Sequence, residues 1–151
     1  HMAPLIVQSL NNTHFFDNID IILPIPISKR RQMRRGYNQS LELAKGISRI
    51  TGLPIDTNSV RRRHYTKSQT KLTPSERVAN VEHTFVLRPN NLQGKHVLLV
   101  DDVITSTATI MACAKVLCDI PDIKISVLSL AVSRKLIANI RNNNPQDNHA
   151  D

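Results

Sequence analysis

The chain has 151 residues, 40% hydrophobic and 21% charged, a composition that fits one globular domain long enough to bury a core. No apolar run approaches the length of a membrane span and no signal peptide is visible, so we expect a cytoplasmic protein. Cys113 and Cys118 lie five residues apart on a predicted helix, which argues against a disulfide or metal pair and favours two small buried residues.

The net charge of +8 is concentrated in one region of the chain. Residues 29–77 contain thirteen Lys or Arg against three acidic residues, a net of +10, while the remainder has seven basic against nine acidic residues, a net of −2. Such basic clusters suit pyrophosphate and nucleic acid equally well, and a solvated face is the simpler alternative. With only three Phe and two Tyr, a base-stacking platform for single strands has weak support.

The domain is expected to comprise residues 3–141. His1 and Met2 resemble a remnant of an expression vector. Residues 142–151 are polar except for Pro145 and Ala150, which predicts a disordered tail.

The first elements are an amphipathic segment at residues 3–18 and a strand at Ile19–Leu23. The prolines of Pro24-Ile-Pro26 end this strand because they cannot donate to the hydrogen-bond ladder. A rigid loop is expected to follow and to lead into the basic run from Lys29 to Gly36.

A helix is predicted for Tyr37–Thr51, because Leu43, Ile47 and Ile50 recur at helical spacing and Gly52 provides a stop. Two short strands are then expected at Ile55–Arg63 and Thr84–Leu87.

Between these strands the chain is polar and basic at Tyr65–Leu72. A capping box at Thr73-Pro-Ser-Glu76 predicts a short helix as far as Val81. Ile123–Val132 is the last predicted strand, and one helical turn is expected from Arg134.

The most informative stretch is residues 96–110. Val97–Val100 is a continuous apolar run of the kind that a strand buried on both faces requires, and it is predicted to end at Asp101 and Asp102. A loop rich in hydroxyl groups and a helix as far as Cys118 are expected next. Backbone N–H groups and the helix dipole attract an anion at such a loop, which predicts a phosphate site.

The acid pair indicates more than a phosphate site. Successive side chains of an extended backbone point in opposite directions, so Asp101 and Asp102 together can reach vicinal hydroxyls or a hydrated Mg²⁺. A sugar phosphate satisfies both the acids and the loop, and a simple turn with a helix cap is the alternative. If the strand at Ile19–Leu23 is parallel to Val97–Val100, their carboxyl ends bring the cations from Lys29 onward opposite the acids.

Val100–Thr109, with the sequence VDDVITSTAT, resembles the phosphoribosyl-pyrophosphate (PRPP) motif of type I phosphoribosyltransferases. Across residues 19–132 the chain is similar to the ComF/GntX family of competence-associated, phosphoribosyltransferase-like proteins. The residues that carry this likeness beside the PRPP motif are Leu23-Pro-Ile-Pro-Ile27, Arg35-Gly-Tyr-Asn-Gln39, Ser68-Gln-Thr70, Leu72, Arg77, Asn80 and Phe85. The resemblance implies an α/β fold with a mainly parallel, twisted sheet flanked by helices and a small hood.

The resemblance also implies roles for individual residues. Asp101 and Asp102 would be catalytic and would meet the ribose hydroxyls, with Mg²⁺ as a cofactor brought near them by PRPP rather than by direct protein ligands. The loop for the 5′-phosphate would comprise Val103, Thr105, Ser106, Thr107, Ala108 and Thr109. The pyrophosphate loop and its basic residues would include Ile25, Pro26, Lys29, Arg30, Arg35 and Lys67, and residues 65–71 would form the hood.

Two residues depart from the motif. Ser106 replaces a Thr and keeps a hydroxyl, but Thr107 stands where the family has Gly. A β-branched residue is poor at close backbone approach and at unusual dihedrals, so we expect strain or occlusion there, weak PRPP binding and little turnover.

Two classes of function remain open. The first is an enzyme that transfers phosphoribosyl to or from a nitrogen base or a related acceptor. The second is an accessory protein of DNA uptake that binds nucleotide, single-stranded DNA or competence proteins without turnover. A receiver-like phosphoacceptor domain is a poor third, because no third acidic position and no Lys at a later strand end accompany the acid pair.

Overall fold

The computed structural model describes residues 3–11, 13–63, 84–104 and 107–133. Four helices and five strands lie in these ranges. In chain order they are α1 (Ala3–Asn11), β1 (Ile21–Pro24), α2 (Lys29–Arg35), α3 (Gln39–Thr51), β2 (Val60–Arg62), β3 (Phe85–Leu87), β4 (His96–Ile104), α4 (Thr107–Leu117) and β5 (Lys124–Val132).

Three strands form a parallel sheet in the order β1-β4-β5. The central strand β4 pairs with β1 from Ile21 opposite Val97 to Pro24 opposite Val100. Among the described residues, β1 has one parallel bridge on its outer side, from Ile22 to Ile55. A parallel sheet flanked by helices confirms the expected α/β fold.

The core lies on both sides of β4. Val97–Val100 are completely buried, and they alternate between the two faces of the sheet. Val97 and Leu99 belong to the cluster that includes α4, whereas Leu98 and Val100 belong to the cluster that includes α1 and α3. Burial on both faces requires the unbroken apolar run that predicted this strand.

The strand β4 does not end at the acid pair, and that prediction is wrong. It continues through Asp101 and Asp102 to Ile104, because β5 remains paired with it as far as Val132 opposite Ile104. By contrast, β1 ends at Pro24. The last backbone hydrogen bond on this side of β4 is donated by the Ile25 N–H to the Val100 carbonyl, at 2.9 Å. The acids therefore lie where β4 has lost its neighbour on one side only.

The basic run from Lys29 onward, for which no element was predicted, forms the helix α2. Gly36 ends this helix with a φ of +80°, and its N–H donates to the Gln32 carbonyl at 2.7 Å. A helix was not predicted, because five of the seven residues are basic and the segment has no apolar periodicity.

The strands β2 and β3 form a separate antiparallel ribbon. Strand β2 is shorter than the predicted Ile55–Arg63, because Asp56 Oδ1 accepts hydrogen bonds from the N–H groups of Asn58 and Ser59 and turns the chain. The predicted helix at residues 73–81, the stretch 65–72, the turn from Arg134 and the tail 142–151 lie outside the described residues.

Two further expectations can be compared with the structure. Cys113 is buried as expected, but Cys118 is exposed. None of the helices in the described part of the chain is long and apolar enough to cross a bilayer.

The contact between α1 and α3 generates a stability prediction. A Cβ atom at Gly46 would lie 2.5 Å from the Ala3 Cβ, which is closer than packed carbon atoms allow. A Gly to Ala change inside a helix normally stabilises by about 0.5–1 kcal/mol, but overpacking costs about 1–3 kcal/mol. We expect Gly46→Ala to lower the melting temperature, and Ala3→Gly in the same chain to recover part of the loss. Arg49→Ala, at an exposed position of α3, is the control, and a raised melting temperature for Gly46→Ala would contradict this packing.

Candidate active site

A cleft opens at the carboxyl ends of β1 and β4, on the side where β1 has ended. Both acids face it, together with the loop after β1, the start of α3, one residue of α4 and one residue of the β2–β3 ribbon. Its lining residues are Ile25, Pro26, Ile27, Arg35, Tyr37, Asn38, Gln39, Arg62, Asp101, Asp102, Val103 and Thr109. Residues that are far apart in the sequence thus line one concave, mostly polar space, as is usual for ligand sites in open α/β sheets.

Asp101 is held in place from two directions. Its Oδ1 atom accepts a hydrogen bond from the Ser40 hydroxyl at 3.1 Å and another from the Asp102 backbone N–H at 3.0 Å. Ser40 is only 1% exposed, so its hydroxyl needs a buried partner. The contact joins the first turn of α3 to the central strand.

The segment Arg35–Ser40 organises this side of the cleft. Asn38 caps α3, because its Oδ1 accepts the Ser40 N–H at 3.1 Å while its Nδ2 donates to the Ile25 carbonyl at 3.2 Å. The Arg35 guanidinium donates to the side-chain oxygen of Gln39. One short segment therefore connects the loop after β1, the start of α3 and, through Ser40, the acid on β4.

Positive charge reaches the cleft from two elements. Arg35 comes from the end of α2, and Arg62 comes from β2, where its guanidinium carbon lies 5.4 Å from the centre of the Phe85 ring. A neighbouring groove shares Pro26, Ile27 and Arg62 with the cleft and adds Arg61 and Arg88. The two acids therefore share the cleft with Arg35 and Arg62, and the groove with Arg61 and Arg88 adjoins it.

The helix α4 begins at Thr107, immediately after the described part of β4. Its first turn contains no acidic residue, so its positive dipole end is not neutralised locally. Thr107 and Ala108 are exposed, and Thr109 reaches the cleft. The expectation of strain or occlusion at Thr107 stays a prediction, because the two residues before it, 105 and 106, lie outside the described ranges.

The predicted site residues divide into three groups. Those that line the cleft are Ile25, Pro26, Arg35, Asp101, Asp102, Val103 and Thr109. Thr107 and Ala108 are at the start of α4 but do not line the cleft. Lys29 and Arg30 are in α2, which follows the loop at the same edge of the sheet. Thr105, Ser106 and Lys67 lie outside the described residues.

Sequence reasoning did not assign a site role to Tyr37, Asn38, Gln39, Ser40 or Arg62. The signal for the first three was present, since they belong to the Arg35-Gly-Tyr-Asn-Gln39 motif that carries the family resemblance. Ser40 is the next residue and has no pattern of its own. Arg62 is one of three consecutive arginines, and only the structure shows that it lines the cleft whereas Arg61 and Arg63 do not.

Burial dominates the electrostatics of Asp101. It is the main reason why the pKa of Asp101 lies above its ordinary value of 3.8, and the adjacent Asp102 carboxylate raises this pKa further. The Ser40 hydroxyl acts in the opposite direction, because it donates to the charged form and lowers the pKa. Burial also raises the pKa of the Cys113 thiol to about 12, with the charge of Asp101 as a second cause, so this cysteine is not a nucleophile.

The carboxylate oxygens of Asp101 and Asp102 suit Mg²⁺ better than a transition metal held by the protein alone. Carboxylate oxygens are the ligands that Mg²⁺ prefers, and it is commonly held by one or two carboxylates together with phosphate oxygens of the substrate. Within the described ranges, no group of three or more His, Cys, Asp or Glu side chains is placed to hold a metal ion.

Comparison with known proteins identifies relatives of this chain. It is similar to competence protein F of Haemophilus influenzae, with 35% identity over 129 residues, which are 84% of this chain and 56% of that protein. It is also similar to the DNA utilization protein YhgH of Escherichia coli K12, with 36% identity over 98 residues, or 65% of this chain and 43% of that protein. The chain thus spans about half the length of the curated relatives that it matches. No protein-family model matches it.

Among solved structures, the chain resembles adenine phosphoribosyltransferase from Leishmania tarentolae. The TM-score is 0.57 at 13% sequence identity, and the match covers 96% of this chain and 62% of the other. A likeness at this identity concerns the fold, which is that of the type I phosphoribosyltransferases.

The buried acid generates a prediction about stability and pH. The folded protein binds a proton at Asp101 more readily than the unfolded chain, so the contribution of this group to stability falls as the pH rises from 3.8 through the raised pKa. Asn keeps the oxygen that accepts both hydrogen bonds and removes the charge. We therefore expect Asp101→Asn to raise the melting temperature at pH 7, and the difference from wild type to vanish below pH 3.8.

The matched control is Asp119→Asn, at an exposed position after α4. A surface substitution of this kind changes stability by no more than about 0.5 kcal/mol. If Asp101→Asn destabilised the protein at pH 7, the carboxylate would have to be stabilised by contacts that outweigh its burial.

Proposed function

The chain belongs to the ComF family of phosphoribosyltransferase-fold proteins, named for competence protein F, and we propose that it binds PRPP or a 5′-phosphorylated nucleotide together with Mg²⁺ in its cleft. The relatives are named as competence and DNA utilization proteins, so we place this binding in the uptake and use of external DNA.

One observation supports the proposal above the others. Asp101 and Asp102 share the cleft with the cations Arg35 and Arg62, and α4 begins only five residues after Asp102. A ribose phosphate with an anionic substituent at C1 has three groups that need different partners. The acids suit its hydroxyls, the start of α4 suits its 5′-phosphate, and the guanidinium groups suit a pyrophosphate.

The reaction that this arrangement could support is phosphoribosyl transfer. Displacement of pyrophosphate from C1 of ribose develops positive charge on the sugar and negative charge on the leaving group. In this proposal Asp101 and Asp102 orient the ribose and Arg35 and Arg62 bind the leaving group, and the support is that all four residues line the cleft. Mg²⁺, when bound with the phosphates, would supply further neutralisation of that negative charge. Because Thr107 replaces the Gly of the motif, we expect turnover to be low even where the ligand binds.

A second function has its own observation. The groove beside the cleft adds Arg61 and Arg88, and Arg61, Arg63 and Arg88 are exposed. A basic surface that continues beyond the nucleotide cleft suits the backbone of single-stranded DNA. In this alternative the protein is a non-catalytic, DNA-binding or partner-binding accessory of transformation.

The proposed nucleotide site is tested by calorimetry with PRPP and Mg²⁺. The double variant Asp101→Asn, Asp102→Asn should weaken PRPP binding at least tenfold, because each charged hydrogen bond is worth about 1.5–3 kcal/mol and tenfold is about 1.4 kcal/mol. The control is Asp119→Asn, Asp122→Asn, which makes the same change of charge at exposed positions near the opposite edge of the sheet. Equal affinity in all three proteins would remove the acids from the site.

The DNA-binding alternative is tested by the salt dependence of affinity for a short single strand. Each phosphate contact contributes about 0.7 to the slope of log affinity against log salt concentration. Arg61→Ala with Arg63→Ala should flatten the slope by about 1.4 if both residues bind phosphates. Arg62 is left intact because it lies over Phe85 and lines the cleft. Lys95→Ala with Lys124→Ala, two exposed positions at the amino edge of the sheet, is the control, and an unchanged slope in the arginine variant would exclude this surface.

A further inference from the structure

Three elements that line the cleft are joined by a short series of hydrogen bonds at the start of α3. The series connects the loop after β1, which begins at Ile25, to Asp101 on β4 through the side chains of Asn38 and Ser40. We propose that Asn38 and Ser40 are positioning residues through which an anion bound beside this loop orders Asp101 for a ribose, so that the two groups bind cooperatively. The inference rests on the proposed nucleotide function and adds a coupling between two parts of that site.

The side-chain amide of Asn38 holds two elements at once. Its Oδ1 atom accepts the Ser40 N–H at 3.1 Å, and its Nδ2 atom donates to the Ile25 carbonyl at 3.2 Å. An amide is a rigid planar group with one acceptor end and one donor end, so each end fits only the partner that it has here. The Ile25 carbonyl therefore cannot move away from α3 without displacing the helix cap or breaking one of these two hydrogen bonds.

Ser40 extends this constraint to the acid. It is the second residue of α3 and is only 1% exposed, so the cap fixes its backbone and its hydroxyl is shielded from water. The hydroxyl donates to Asp101 Oδ1 at 3.1 Å, and the same oxygen accepts the Asp102 N–H at 3.0 Å. Two donors on one oxygen restrict the rotation of the carboxylate, which sets the direction in which Asp101 meets a ligand.

The loop is also tied to β4 directly, because the Ile25 N–H donates to the Val100 carbonyl at 2.9 Å. Val100 immediately precedes Asp101, so the series closes into a ring that runs from Ile25 through Asn38, Ser40 and Asp101 to Val100. Ile25, Ser40 and Val100 are all buried, where hydrogen bonds are stronger than in water. A displacement of the loop is therefore transmitted to the acid by two routes.

The proposed ligand groups act on opposite sides of this ring. Pro26 and Ile27 continue the loop along the cleft, and the Arg35 guanidinium on the same side donates to Gln39, the first residue of α3. An anion held here fixes both the loop and the first turn of α3, whereas a ribose is held at Asp101. Ordering that one ligand has imposed is not needed again for the second, which is a physical basis of positive cooperativity.

The test measures the affinity for ribose 5-phosphate by calorimetry, with and without saturating pyrophosphate, at constant free Mg²⁺. Ribose 5-phosphate has no pyrophosphate at C1, so the two ligands together supply the groups of PRPP. The ratio of the two affinities is the coupling factor, and we expect it to be at least about fivefold in wild type. Titration in the opposite order should give the same factor, because coupling between two binding events is reciprocal.

Two substitutions interrupt the series at different points. Ser40→Ala removes the hydroxyl that reaches Asp101, and Asn38→Ser removes the donor to Ile25 but keeps a residue that caps helices well. Each should lower the coupling factor below about twofold, and either one serves if the other does not fold. Because the contacts lie in series, the double variant should lower the factor no further than a single variant does, whereas independent effects would add.

Ser48→Ala is the matched control, because it removes a serine hydroxyl from the other end of the same helix. That hydroxyl donates to the Leu53 carbonyl at 2.6 Å, and Ser48 does not line the cleft. Its coupling factor should equal that of wild type.

An absence of coupling in wild type would overturn this inference and leave the proposed function standing. So would coupling that survives in both Ser40→Ala and Asn38→Ser, since it would then come from direct contact between the ligands. If neither ribose 5-phosphate nor PRPP binds wild type, the proposed function itself is overturned, and this inference with it.

Discussion

The strand β1 is shorter than β5, and this difference determines where the cleft lies beside β4. Strand β1 ends at Pro24, opposite Val100, while β5 stays paired with β4 for four more residues. Asp101 and Asp102 are consequently part of a strand that is hydrogen-bonded on one side and open on the other. The cleft occupies that open side, and every element that lines it is arranged around the end of β1.

Burial of an acid at this position has an energetic consequence. Desolvation and the adjacent Asp102 raise the pKa of Asp101, and the Ser40 hydroxyl offsets only part of this by donating to the carboxylate. The ionised form of Asp101 is therefore less favourable in the folded protein than in the unfolded chain. The segment Arg35–Ser40 makes this tolerable, because it supplies the buried donor and fixes the start of α3 at the same time.

The structure also shows where several of the arginines lie. Arg35 and Arg62 line the cleft, Arg61 and Arg88 line the groove beside it, and Arg63 is exposed. Within the described part of residues 29–77, arginines thus lie on surfaces of different shape, and Arg88, outside that range, adds to the groove. Anionic ligands of different kinds, from a pyrophosphate to a nucleic acid backbone, would meet different members of the same cluster.

The sequence alone determined the features that depend on local pattern. The apolar run Val97–Val100 could only be a strand buried on both faces, and the acids after it, with the family motif, indicated a ribose phosphate site at a carboxyl edge. Where β4 ends depended on the length of β5, and the exposed position of Cys118 depended on the end of α4. Ser40 and Asp101 are 61 residues apart, and the separation of Arg62 from Arg61 and Arg63 follows from its contact with Phe85 on a neighbouring strand. Such contacts depend on how elements that are distant in the sequence pack together. Hydrophobic periodicity reports only which face of an element is buried, so it contains no information about which distant residue lies opposite.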